Sequence, residues 1–167
     1  MKTNILIYGP PGVGKQKFCS LLRDNWIKNG EKVIFISRKD YPMKVEELNE
    51  KLRDASGSAR IIVHSLSNLI MQNSLEEILN FLKFLNEKFE FGVYTLQEGI
   101  HSPNIVKHIM CITTKVIEIK YHEEEIIEKR LRILSLERNY VSEWINLSLI
   151  SKSNLESLIF EEYKHRL

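Results

Sequence analysis

The chain has 167 residues, 43% hydrophobic and 28% charged, with a net charge of +2. That is the length and composition of one globular domain able to bury a core, which excludes a disordered chain, and the near-neutral charge gives no reason to expect a nucleic-acid partner. Two cysteines far apart in sequence, Cys19 and Cys111, match no metal or redox spacing and suit a reducing cytoplasm.

The apolar run "NILIY" at residues 4–8 is too short for a signal peptide or a membrane span. It predicts a buried strand, with no membrane association. It leads into "GPPGVGKQ" at 9–16, and a helix is expected from about residue 15 to Asn29-Gly30, a stop signal. "KVIFIS" (32–37) predicts a second, fully apolar strand. "YPMKVEELNEKLRDA" (41–55) predicts a helix with Pro42 near its start. "SGS" (56–58) makes a turn, and "ARIIVHSL" (59–66) a third strand. Ser74 with Glu77 forms a capping box for a helix over 74–88. "FGVYTL" (91–96) predicts a fourth strand, "QEGIHSPN" (97–104) a loop, and a short helix follows to about Met110. Strands apolar on both faces, alternating with helices, predict a parallel sheet covered by helices.

The pattern then changes. "TKVIEIKYHEE" and "KRLRILSLE" alternate apolar and polar residues, predicting an antiparallel pair at the sheet edge. The charged middle, "HEEEIIE", suits either a solvated hairpin tip or a helical turn. "SEWINLSLI" (142–150) predicts one more strand, and Ser153 with Glu156 caps a final helix to about Tyr163. No repeat or linker interrupts the chain, so residues 1–167 are expected to form a single domain.

The chemistry concentrates in the glycine-rich loop. A phosphate loop needs glycines that let its N–H groups converge, a lysine for the β- and γ-phosphates, and a hydroxyl for Mg²⁺. Gly9, Gly12, Gly14 and Lys15 supply the first two, with Pro10, Pro11 and Val13 between them. Gln16 stands where the hydroxyl is expected, and Lys17 follows on the helix. Residues 9–17 are therefore the candidate cofactor-binding segment.

"GPPG.GK" also opens adenylate-kinase-like proteins, but nothing here reads as a lid, and Arg23, Arg38, Arg53 and Arg60 form no phosphate clamp. The loop together with "ARIIVHSLSNLI" and "KVIEIKYHEEEIIEKRLRILSLERNYVSEWINLSLI" resembles the RecA superfamily, KaiC-like branch, from residue 4 to about 150. The resemblance implies an α/β fold, a RecA-like P-loop three-layer αβα domain. Its central sheet would be mostly parallel, with antiparallel strands at the C-terminal edge. It implies ATP or ADP as ligand, and self-association or pairing with a RecA/KaiC-like paralogue.

The departures from that family carry as much as the matches. Gln16 replaces the Mg²⁺-binding hydroxyl. His64 stands where the family ends its third strand in an acidic residue, and an imidazole cannot do a carboxylate's work beside Mg²⁺. Ser37, Arg38 and Lys39 follow the second strand where a catalytic Glu is expected, with Asp40 the nearest carboxylate. Ser135 and Glu137 replace a Lys-x-Arg pair, with Arg138 one residue out of step. Gln97 falls at the family's sensor position, or belongs to a plain loop. His64 is either a repurposed nucleotide contact or a hydrogen-bonded strand end. His101 and His108 lack partners at metal-ligand spacing. Cys19 reads as core and Trp144 as packing. The expected function is a nucleotide-binding regulatory or scaffold domain, a pseudo-ATPase with Mg²⁺ binding in question. Two alternatives stay open: an active atypical ATPase or nucleotide kinase, and an interaction module with a vestigial loop.

Overall fold

The computed structural model describes residues 2–135, 137–151 and Leu155. The predicted helix at 153–163 otherwise lies outside them. Five strands run parallel: β1 (Thr3–Gly9), β2 (Val33–Ser37), β3 (Arg60–His64), β4 (Phe91–Gln97) and β5 (Lys115–Glu123). β6 (Ile127–Ser135) returns antiparallel to β5, followed by two short strands, β7 (Tyr140–Val141) and β8 (Ile145–Asn146), that both pair with β6. The order across the sheet is β2-β3-β4-β1-β5-β6-β7. β1, the strand that feeds the glycine-rich loop, thus lies between β4 and β5 with both edges paired.

Side chains alternate across a strand, so a strand covered on both faces must be apolar at every position. β1 illustrates this. Ile5 and Ile7 pack with Phe18, Cys19, Leu22 and Trp26 of α1 (Lys15–Lys28) on one face. Leu6 packs on the other, where α2 (Val45–Leu52), α3 (Leu66–Ile70), α4 (Leu75–Lys88) and α5 (Pro103–Cys111) place Leu48, Leu69, Leu82 and Ile109. Full burial of one such large apolar side chain contributes roughly 1.5–3 kcal/mol. No described helix is long and apolar enough to cross a membrane.

Several boundaries differ from the sequence expectation. The helix expected from residue 41 begins at Val45, because Asn73 captures the chain before it. The Asn73 side chain accepts from the Val45 N–H at 3.1 Å and donates to the Met43 carbonyl at 2.8 Å. The third strand stops at His64 rather than 66, and the bond to Ser65 is cis. Leu66 and Leu69 then fill the core from α3, a helix the sequence reading missed. "SEWINLSLI" is not a continuous strand. After the two residues of β8, Asn146 accepts from the Ser148 N–H and hydroxyl at 2.9 and 2.8 Å and turns the chain into a single 3₁₀ turn, Leu147–Leu149. The "HEEEIIE" stretch is not helical: β5 and β6 pair to the tip, Glu123 opposite Ile127.

The hairpin has two unlike faces. Glu118 opposes Arg132, Lys120 opposes Arg130 and His122 opposes Glu128 on one. Trp144 lies on that charged face, with the Arg132 guanidinium 4.7 Å from its ring centre and the His122 ring also at 4.7 Å, a packing role as expected. Ile119 with Leu131 and Tyr121 with Lys129 line the other, which turns toward α1 and the loop.

Candidate phosphate-binding site

The first N–H groups of a helix lack intrahelical acceptors and need a cap or an anion. α4 is closed by the Ser74–Glu77 capping box and α5 by the Ser102 hydroxyl. α1 has neither a side-chain cap nor an acidic residue in its first turn. Its N-cap is Gly14, at φ 109°, and Gly12 sits at φ 73°, both in the left-handed region that glycine alone adopts readily. Gly9 is glycine for another reason: a Cβ there would come within 2.5 Å of the Ile119 carbonyl oxygen.

Lys15 is 7% exposed, and its ammonium donates to the Gly9 and Pro10 carbonyls, both at 2.7 Å. Burial pushes its pKa down, and the carboxylate of Glu98 acts against that. One turn on, burial raises the Cys19 thiol to about 12, so Cys19 is an inert core residue. Val13 is buried under the loop, whereas Pro11, Gln16 and Lys17 are exposed.

The strand order brings the remaining candidates to this loop. Gly9 and Gln97 are partners in the β1–β4 register, and Ser67 accepts from the Gln97 N–H at 2.9 Å. The Ser67 hydroxyl also lies 2.8 Å from the His101 ring. His64, at the end of β3, places Nδ1 2.7 Å from the Thr95 hydroxyl of β4. Burial first, and Lys15 second, hold the His64 pKa below its ordinary value. The loop, His64 and Gln97 therefore occupy the C-terminal ends of three adjacent strands, the end where ligands of such sheets bind. Asp40 does not join them. It lies after the outermost strand β2, where its carboxylate accepts from the Ser37 hydroxyl at 3.3 Å.

Three residues of the site had no sequence signal. Glu98 follows Gln97, and its N–H donates to the Gly9 carbonyl at 2.8 Å. From the hairpin, the Tyr121 hydroxyl donates to the Pro11 carbonyl at 3.5 Å and the Lys129 ammonium to the Gly12 carbonyl at 3.4 Å. Beside them opens a cavity of about 550 Å³, with Val13, Phe18 and Leu21 on one wall and Ile127, Lys129 and Leu147 on the other. The hairpin tip is solvated as expected, with Ile126 68% and Ile127 69% exposed, and one side of it also lines this cavity. The apolar pair Ile126-Ile127 inside a glutamate-rich stretch was the available hint.

Mg²⁺ demands oxygen donors in near-octahedral array. Here Gln16 offers an exposed amide in place of a hydroxyl, and His64 offers an imidazole already engaged with Thr95. Among the described residues no three His, Cys, Asp or Glu side chains cluster where they could hold a metal ion. Gln16 and His64 thus stand in place of the hydroxyl and the acid that usually serve the metal of a phosphate loop. The residues present suit an anion: a glycine-rich turn into an uncapped helix N-terminus, a buried lysine and an adjoining cavity.

The architecture is the RecA-like P-loop fold, with a mostly parallel central sheet and antiparallel strands at one edge. Among the solved structures that share it, two serve as examples. One is the KaiC-like protein PH0186 of the hyperthermophilic archaeon Pyrococcus horikoshii, at a TM-score of 0.66 and 14% identity, covering 86% of this chain and 84% of that one. The other is the flagellar accessory protein FlaH of Methanocaldococcus jannaschii, at a TM-score of 0.60 and 14% identity, covering 80% and 78%. No family model matches the sequence, and no curated protein does.

Proposed function

We propose that this domain binds ATP or ADP as a regulatory or scaffold module and hydrolyses it slowly or not at all. One observation supports the reading: a glycine-rich loop around a buried Lys15, beside strand ends that offer an imidazole and an amide where hydrolysis needs a metal and a base. The neighbouring apolar cavity has room for a base and ribose. A reducing cytoplasm, with self-association or a RecA/KaiC-like paralogue as partner, completes the proposal.

Thermal unfolding with ATP or ADP, each with and without Mg²⁺, tests it. A ligand at a hundred times its Kd stabilises the folded state by about 2.7 kcal/mol. Both nucleotides should raise the midpoint of the wild type and leave Lys15→Ala unmoved. No shift at millimolar nucleotide would leave the loop vestigial and the domain an interaction module.

A second reading, an active ATPase with a displaced acid, draws on Glu98, the carboxylate acting on Lys15. It requires Mg²⁺-dependent turnover that disappears in both Lys15→Ala and Glu98→Gln. The regulatory reading expects no such turnover.

A further inference from the structure

Two ammonium groups rest on carbonyls of the same loop. Lys15 reaches Gly9 and Pro10 from inside, and Lys129 reaches Gly12 from the hairpin. Lys129 stands opposite Tyr121 in the β5–β6 register, with its ammonium 6.0 Å from that ring's centre, and Tyr121 itself touches Pro11. The pair forms the seam between hairpin and loop. Strand alternation sends two of the hairpin's acids to the opposite face, while Glu123, opposite Ile127, shares the face of Tyr121 and Lys129 and is exposed. Glu128 is held by Arg130 at 2.8 Å, and Glu118 by Lys120 and Arg132 at 2.9 and 2.8 Å, all on the opposite face. The acid at the loop's inner end is Glu98, which acts on Lys15.

A nucleoside di- or triphosphate brings several negative charges, and in a phosphate loop a divalent cation ordinarily offsets part of them. The donor set here does not suit that cation. We propose that Lys129 takes its place: bound polyphosphate draws the Lys129 ammonium off the Gly12 carbonyl and onto a phosphate oxygen, so that binding needs no divalent metal. A neutral carbonyl is the weaker acceptor, and a phosphate oxygen adds the attraction of opposite charges to the ammonium's hydrogen bond. The lysine is exposed and carried on a flexible four-carbon stem, so the transfer requires no backbone movement. This inference rests on the proposed nucleotide binding.

Isothermal titration of ATP and ADP, in EDTA and in Mg²⁺, tests it on the wild type, Lys129→Ala and Lys129→Arg. The wild type should bind with nearly the same Kd in both buffers. Lys129→Ala should bind about tenfold more weakly in EDTA, as expected for losing one hydrogen bond to a charged group, and regain part of the loss with Mg²⁺. Lys129→Arg should hold close to the wild type. The ligand-free melting midpoint of Lys129→Ala should not move, which separates binding from folding. Equal affinity of Lys129→Ala and wild type in EDTA, or a wild type that binds only with Mg²⁺, would overturn the inference while leaving nucleotide binding standing. A wild type that binds neither nucleotide in either buffer would overturn both.

Discussion

His64 shows how one substituted residue changes the behaviour of a site. An acid at this strand end would be ionised near neutrality. The imidazole is instead held neutral by burial and by Lys15, with its pKa below 6.5. A group with a depressed pKa stays neutral in the folded chain while the unfolded chain takes up a proton. Stability is therefore full above the unfolded value and falls as pH drops through it toward the folded one. His101 is shifted the same way by burial. Glu118 works in a separate, lower window. Burial pushes its pKa up, but the hydrogen bonds and charges of Lys120 and Arg132 together outweigh it, and the stability they give is lost only as pH falls below 4.5. The melting midpoint without nucleotide should thus decline between about pH 7 and pH 5.5, across the ordinary imidazole range. His64→Asn should flatten that decline, and an unchanged slope would assign the titration to His101. At this scale the placement of the loop residues, His64 and Gln97 at strand ends was legible because glycine spacing and strand ends are local signals. Glu98 and Lys129 were not: an acid in a turn and a lysine in a charged stretch look the same whether or not a fold brings them to a phosphate loop.

The strands and helices follow from local rules wherever one rule acts alone. Four of the five parallel strands read as apolar runs, β5 reads as an alternating one, and the Ser74–Glu77 box marks the start of α4. Misreadings had two sources. Asn73, 28 residues away, delays α2, whereas Asn146 breaks the expected late strand by a local turn to Ser148 that the alternating pattern hides. Gly9 belongs to both kinds: its place in the motif is local, but the reason it must be glycine lies on β5. Gly9→Ala would set a methyl 2.5 Å from the Ile119 carbonyl oxygen, a backbone atom that cannot swing aside. β1 and β5 must then part, at a cost of about 2 kcal/mol or more. Denaturant unfolding should show that loss as a lower midpoint, and an unchanged midpoint would refute the close approach.

At the scale of the whole molecule, the site joins two regions that never meet in sequence. One cavity wall comes from the loop and the start of α1, the other from the hairpin and the turn after β8. Nucleotide should therefore slow amide hydrogen exchange in both walls together, over residues 9–18 and 119–131, while leaving β2 at the far edge unchanged. Protection confined to the loop would mean that the hairpin takes no part in binding. Gly12 and Lys129 are 117 residues apart along the chain. At a synthesis rate of about 5–20 residues per second, the loop is made roughly ten seconds before the strand that brings its second cation and outer wall. On the proposed reading, a nascent chain offers a nucleotide only Lys15 and the loop amides, and the full grip forms after β6 has closed against β5. Ligand in the cell would then favour finished copies over half-made ones, acting as a check that the last strands have docked.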